Sequence, residues 1–170
     1  LPSMLDTLAR NYNNRNPEAW LYEISSEYLP REGEDLPEER AVLMVGCYGG
    51  EADFFTLKGT VESLLSRLNL PRADYTAVST HPSYHPGRFA VLTVGDVEIG
   101  SVGEVHPTVL ENFGIGCRAW IARLDIARLF AVRLPEATYH ALPRFPASTR
   151  DLAVICDESL PVAAIEKTIT

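Results

Sequence analysis

Apolar residues recur at helical spacing at the start of the chain. Leu1, Met4, Leu5, Leu8, Ala9 and Tyr12 stand three or four positions apart and make one stripe, which predicts a helix. Asn13, Asn14 and Asn16-Pro17 end it, because proline disfavours helical backbone in the residue before it. Trp20 to Ile24 alternates as a strand does. Pro30 to Glu39 is a loop rich in Pro, Gly and Glu, and Ala41 to Val45 is a continuous apolar run suited to a central strand. The clearest helix runs from Asp53 to Leu68, with Phe54, Leu57, Val61, Leu64, Leu65 and Leu68 on one face. Asp53 is placed to accept a free amide N–H of its first turn. Lys58 and Glu62 are four apart, in the less favourable order for a helix pair. Asn69 and Pro71 mark the end.

Tyr75 to Ser79, Phe89 to Val94 and Val97 to Val102 read as strands, the last two joined by Gly95-Asp96, a turn that suits a tight hairpin. Pro107 opens a short helix at the position where its missing N–H costs nothing, and Gly114 closes it. Ala119 to Leu124 is a further strand, and Asp125 caps a short helix to Phe130. This order predicts an α+β fold with a mostly antiparallel sheet flanked by helices. A boundary is expected near Leu134-Pro135. Beyond it, Arg150 to Cys156 reads as a strand and Pro161 to Ile169 as a helix. One strand and one helix cannot bury a core by themselves, so these residues read as the opening of a second domain.

Composition narrows the function. The chain has 170 residues, 46% hydrophobic and 22% charged, enough for a sizeable core. Its net charge of -8 argues against a free-standing nucleic-acid binder, which normally shows a basic face. It leaves room for RNA contact through a local patch of a larger assembly. Cys47, Cys117 and Cys156 lack metal-ligand or redox spacing and are expected to be buried, reduced thiols of a cytoplasmic protein. No apolar run approaches the roughly 20 residues needed to span a bilayer. Leu1-Pro2-Ser3 lacks Met and any signal pattern, and together with the end at Thr170 this suggests a piece of a longer chain.

The candidate chemistry is sparse. His81 and His85 have ligand spacing for a helix, but Pro82, Pro86 and Gly87 make the segment extended or turned, and rigid turn chemistry is the better reading. Glu104 and His106 could form an acid–base pair, but His106 before Pro107 reads first as a helix-initiating turn. Ser79 and Ser83 form no nucleophile elbow, and there is no phosphate loop or dinucleotide fingerprint. Ala137 to Arg150 carries Arg144, Arg150 and His140 without an acidic residue. It reads as an ordered linker whose arginines pair with the core or, alternatively, as a contact for RNA phosphates.

Several phrases then occur in order along nearly the whole chain: Leu1-Pro2-Ser3-Met4-Leu5, Leu8-Ala9-Arg10-Asn11, Leu21-Tyr22-Glu23-Ile24, Asp53-Phe54-Phe55 and Leu57-Lys58-Gly59. His85-Pro86-Gly87-Arg88, Gly103-Glu104-Val105-His106-Pro107, Leu142-Pro143-Arg144-Phe145-Pro146 and Arg150-Asp151-Leu152-Ala153-Val154 follow. Together they resemble the β subunit of bacterial-type phenylalanyl-tRNA synthetase. The resemblance implies that residues 1–134 form a class II synthetase-like core, 135–143 a linker, and 144–170 the truncated start of a ferredoxin-like anticodon-binding domain.

Class II catalytic domains hold ATP with two arginines, one in an aromatic-Arg-x-Glu motif and one in a glycine-rich strand–helix motif ending in Glu-Arg. Arginine suits this role because its planar fork clamps phosphate oxygens in two places and stays charged. Here the first motif falls at Tyr28-Leu29-Pro30-Arg31, with leucine where the clamp belongs. The other falls at Leu124-Asp125-Ile126-Ala127-Arg128, without the glycines and with Ala127 for the Glu. The resemblance therefore implies a non-catalytic scaffold with no cofactor or metal of its own. ATP and Mg²⁺ would serve the holoenzyme, on the α subunit of an (αβ)2 assembly. Met4, Leu5, Leu8 and Tyr12 are the expected partner surface, and Arg144 and Arg150 the candidate tRNA contacts. The alternatives are an active class II nucleotide-binding domain, or a tRNA-binding module in its own right. Leu29 speaks against the first and the acidic balance against the second.

Overall fold

The computed structural model describes residues 1–135, 139 and 144–169. Two compact units divide at Leu1–Glu136 and Ala137–Thr170. In the first, α1 (Pro2–Asn13) leads into β1 (Ala19–Leu29) and β2 (Glu38–Tyr48), followed by α2 (Phe54–Arg67) and β3 (Asp74–Ala77). Then come β4 (Tyr84–Val94), β5 (Val97–Val105), α3 (Pro107–Asn112), β6 (Ala119–Asp125) and α4 (Ile126–Ala131). The strands form one antiparallel sheet in the order β1-β2-β6-β5-β4-β3. The α+β class with a mostly antiparallel sheet is thus the one the pattern predicts.

Local chemistry explains the elements. Asp53 accepts from the Thr56 amide at 2.6 Å while Thr56 Oγ1 accepts from the Asp53 amide at 2.8 Å, so two otherwise orphaned donors at the start of α2 are satisfied reciprocally. Lys58 and Glu62 form the helix-surface ion pair at 3.3 Å. Gly95, at φ +56°, turns β4 into β5, and Gly114, at φ +70°, ends α3 with its amide donating to Glu111. Both positions need left-handed backbone that side chains disfavour. The strand seen in Trp20 to Ile24 runs on to Leu29, because all of β1 from Ala19 to Leu29 pairs in register with β2.

The sheet has apolar residues on both faces. Alternation sends Val42, Met44 and Tyr48 of β2 and Ile121 of β6 to the α1 side, and Cys47, Trp120, Ala122 and Leu124 to the α2 and α4 side. Gly46 sits under α1. A Cβ there would lie 2.9 Å from the Met4 Cγ and Sδ and 3.1 Å from a Leu8 methyl, so the glycine lets the helix close onto the strand.

That contact corrects the expected partner surface. Met4, Leu5 and Leu8 are 1%, 1% and 0% exposed, and they belong to this chain's own core. The apolar stripe of α1 is spent on its own sheet, so those three side chains offer nothing to a partner. Tyr12 is half-buried, edge-on to Tyr48 with ring centroids 5.9 Å apart.

The second unit contains α5 (Val162–Ile169). The strand expected at Arg150 to Cys156 is absent: this backbone is irregular, and Leu152, Val154 and Ile155 are exposed. A strand needs a neighbour to share its hydrogen bonds, and among the described residues all six strands lie in the first unit. His140 lies outside the described residues.

Candidate functional site

The class II landmarks fall at one end of β1, β2 and β6. Leu29 is the last residue of β1 and pairs across to Glu38, the first of β2; Arg31 follows on the exposed loop between them. Leucine brings no charge, and the arginines that reach this region from the sheet are already engaged. Arg40 Nε donates to Glu38 Oε1 at 2.6 Å and Nη2 to Oε2 at 3.0 Å. Arg123, on β6, reaches past β2 to Glu27 on β1, with Nε on Oε1 at 2.9 Å and Nη2 on Oε2. That hydrogen bonding holds the Glu27 carboxyl below its usual range and raises Arg123 above its own.

At the strand–helix junction, Asp125 is buried and caps α4, its Oδ1 accepting from the Arg128 amide at 3.0 Å. The Arg128 guanidinium donates to the Glu98 carbonyl at 2.9 Å and lies 3.6 Å from Asp125 Oδ2. The segment 124–128 holds no glycine that would let a nucleotide approach the backbone, and its Asp125 serves the fold as the cap of α4. The residues present do not fit a magnesium-bound triphosphate. The clamp position is apolar, and the guanidiniums of Arg40, Arg123 and Arg128 are neutralised by this chain's own carboxylates.

A second polar centre brings together two of the phrases named above and a residue that sequence reasoning missed. Glu104 on β5 is 3% exposed. Arg118, just before β6, donates Nε to Oε1 at 2.9 Å and Nη2 to Oε2 at 2.5 Å, and Arg88 Nη1 reaches both oxygens at 3.2 and 3.0 Å. Burial alone would raise the Glu104 pKa, but hydrogen bonds from Arg118 and Arg88 outweigh it and hold the carboxyl below its usual range. Arg118 also lies over the Trp120 ring, 5.1 Å from its centroid. The cluster ties together β4, β5 and the start of β6. Arg118 carried no sequence signal, because Glu104, the carboxylate it binds, stands 14 positions away.

The histidines are turn-makers. Nδ1 of His81, His85 and His106 accepts, each at 3.2 Å, from the amide two residues on, those of Ser83, Gly87 and Thr108. No group of three metal-ligating side chains occurs among the described residues. Arg144 and Arg150 are exposed in the second unit, and neither has an ion pair among the described residues. No helix among the described residues is long and apolar enough to cross a membrane.

Comparisons with known proteins agree with this geometry. Residues 1–126 match the family model described as the phenylalanyl tRNA synthetase beta chain CLM domain. The phenylalanine–tRNA ligase beta subunit of Clostridium acetobutylicum is 41% identical over 170 residues, covering 99% of this chain and 21% of its own length. That of Symbiobacterium thermophilum is 41% identical over 180 residues, covering 99% and 20%. The chain thus spans about a fifth of the length of these relatives. Among solved structures, the pyrrolysyl-tRNA synthetase of Desulfitobacterium hafniense superposes with a TM-score of 0.61 at 17% identity, over 77% of this chain and 47% of that one. It shares the fold, a class II synthetase architecture. With the family model over most of its length, relatives across nearly all of it and the class II sheet, the chain belongs to the phenylalanyl-tRNA synthetase β-subunit family.

Proposed function

We propose that this chain is a structural core module of a phenylalanine–tRNA ligase β subunit, supporting ATP-dependent attachment of phenylalanine to its tRNA without performing that chemistry. The observation that carries the reading is Leu29 at the clamp position, beside arginines already bound to Glu27, Glu38 and Asp125. Transferring a phosphoryl-linked group needs preorganised positive charge aimed where negative charge develops, and here that charge is spent on holding strands together. The adenylate-forming site would lie on an α subunit within an (αβ)2 assembly, and the protein would work in the cytoplasm. Residues 144–170 would belong to a ferredoxin-like anticodon-binding domain of the complete subunit. There Arg144 and Arg150, exposed and without a carboxylate partner among the described residues, are suited to tRNA phosphates.

Calorimetry with ATP and Mg²⁺ tests the non-catalytic part, and no heat of binding is expected. Saturable micromolar binding would overturn it in favour of an active nucleotide site. Co-purification with the α subunit tests the assembly part. In the assembled enzyme, Arg144→Ala and Arg150→Ala should each lower the salt dependence of tRNA binding by about one phosphate contact. An unchanged slope for both would remove them from the tRNA path.

A further inference from the structure

The α2 and α4 face of the sheet is covered unevenly. The two helices lie over β2, β5 and β6, whereas among the described residues β1 is left largely uncovered on that side. An antiparallel sheet can turn one face to water, but that face is then expected to be polar. Here the β1 residues pointing that way are Trp20, Tyr22, Ile24, Ser26 and Tyr28, of which the four large ones are 43%, 78%, 67% and 63% exposed. An exposed apolar run of this kind marks an interaction surface.

Ile24 is also one wall of a groove of about 380 Å³. Its floor is Leu43 and Leu129, and its far walls are Leu68 at the end of α2 and Phe130 on α4. Leu68 and Phe130 are themselves exposed, at 43% and 69%. Two arginines, Arg67 and Arg133, stand in the lining, and among the described residues no carboxylate does. Both arginines are exposed, and neither has an ion-pair partner among the described residues. In a chain of net charge -8, an apolar groove whose described charged lining is cationic is a local reversal of sign.

We propose that this groove, with the uncovered stripe of β1 beside it, is a docking surface for an amphipathic helix of a partner polypeptide whose apolar side chains enter the groove and whose carboxylates meet Arg67 and Arg133. A helix fits better than an added strand. The groove lies on the sheet face, between the end of α2 and α4, where a third helix would complete the layer. A strand added to the outer edge of β1 would lengthen the sheet and leave the groove open. Anchors at i, i+3, i+4 and i+7 supply the apolar contact, and the charge pairing sets direction and selectivity. The surface lies on the opposite face of the sheet from Met4, Leu5 and Leu8.

The test uses the ¹⁵N- and methyl-labelled 170-residue chain and two synthetic helical peptides of about 15 residues, a length near the limit for isolated helices. Each has leucines at the anchor spacing. One carries glutamates at its ends and the other lysines. The expected result is saturable shift changes at Ile24, Leu43, Leu68 and Phe130 with the glutamate peptide only. In the Arg67→Glu/Arg133→Glu double variant the preference should reverse, with affinity for the glutamate peptide falling about tenfold or more. Phe130→Ser, at an exposed position, should weaken the preferred peptide in either background without altering the charge preference. Equal binding of both peptides, or binding of neither, overturns the proposal. So do changes confined to the outer-edge amides of β1, which would mean strand addition. Sedimentation showing the groove covered by a second copy of the chain overturns it as well.

Discussion

Replacing Glu104 with glutamine separates a structural ion cluster from a decorative one. The wild-type carboxylate accepts from Arg118 through two nitrogens and from Arg88 through one, all while 3% exposed. Glutamine keeps the volume and one acceptor oxygen but puts an NH₂ where the other oxygen stood, so a donor faces donors. Hydrogen bonds to charged groups contribute about 1.5–3 kcal/mol, and a buried donor left unpaired costs about 1–3 kcal/mol. The Arg88 and Arg118 side chains are 48% and 58% exposed, so they can turn to water, and the roughly 3–5 kcal/mol of a fully buried broken pair does not apply. The expected loss near neutral pH is therefore about 1–3 kcal/mol.

The same substitution has a pH signature. Arg118 and Arg88 hold the folded-state pKa of Glu104 below its ordinary value, against the pull of burial. A depressed carboxyl contributes stability that is present above the unfolded pKa, about 4.3 for Glu, and lost as pH falls through the folded pKa. Urea unfolding followed by the fluorescence of Trp20 and Trp120 at neutral and acidic pH measures both effects. The wild-type advantage should be full near neutrality and shrink below about pH 4. An unchanged midpoint near neutrality, or an advantage that persists undiminished in acid, would refute the reasoning.

Three further outcomes are expected. Leu8→Glu should prevent folding, since truncating a buried leucine to alanine already costs about 2–5 kcal/mol and a charge there has no partner; a cooperative melt close to wild type would contradict this. Asp53→Ala should cost about 1 kcal/mol through loss of the α2 cap, and an unaltered urea midpoint would show that Thr56 alone suffices. Thiol labelling with an aromatic disulfide should modify exposed Cys156 first, Cys117 more slowly, and Cys47 only on unfolding, because burial pushes the Cys47 thiol up to about 12; prompt labelling of Cys47 would mean that the sheet opens readily.

What the sequence reveals about the fold is whatever can be settled within a few residues. The Asp53 cap, the Gly95 turn, the His106-Pro107 start of α3 and the Asp125 cap are short-range chemistry, and each stands where its residues predict. The face that α1 covers is different. It depends on Gly46, over thirty positions from Leu8, whose missing side chain lets the helix down onto β2. A periodic stripe says that a helix has an apolar side, not whether its own sheet or another chain takes it. The segment at Arg150 to Cys156 errs the other way, having strand-like residues but no neighbour to pair with. At the landmark positions, Leu29 and Ala127 were legible as losses. That Arg123 is consumed by Glu27 was not, because that pairing spans 96 positions and rests on strand register, whereas Arg40 meets Glu38 two residues away on β2.

The strand order β1-β2-β6-β5-β4-β3 has a consequence for how the protein is made. β1 with β2, and β3 with β4 and β5, are local antiparallel pieces that can form as soon as they leave the ribosome. They are not neighbours in the sheet: β6, the last strand among the described residues, joins them by pairing with β2 on one side and β5 on the other. At roughly 5–20 residues per second, the inner edge of β2 waits roughly 4–15 s between its own synthesis and that of its partner. Through that interval β2 carries an open, apolar inner edge, joined once Val97–Val105 is made by that of β5, and each is a template for any other nascent strand. Commitment to the native sheet is thus a late event, and the region around Ala119–Asp125 is where slowed translation or early termination would do most harm. Sequence-distant pairing of this kind also slows refolding of the finished chain, since the loop-closure cost precedes the contacts that reward it.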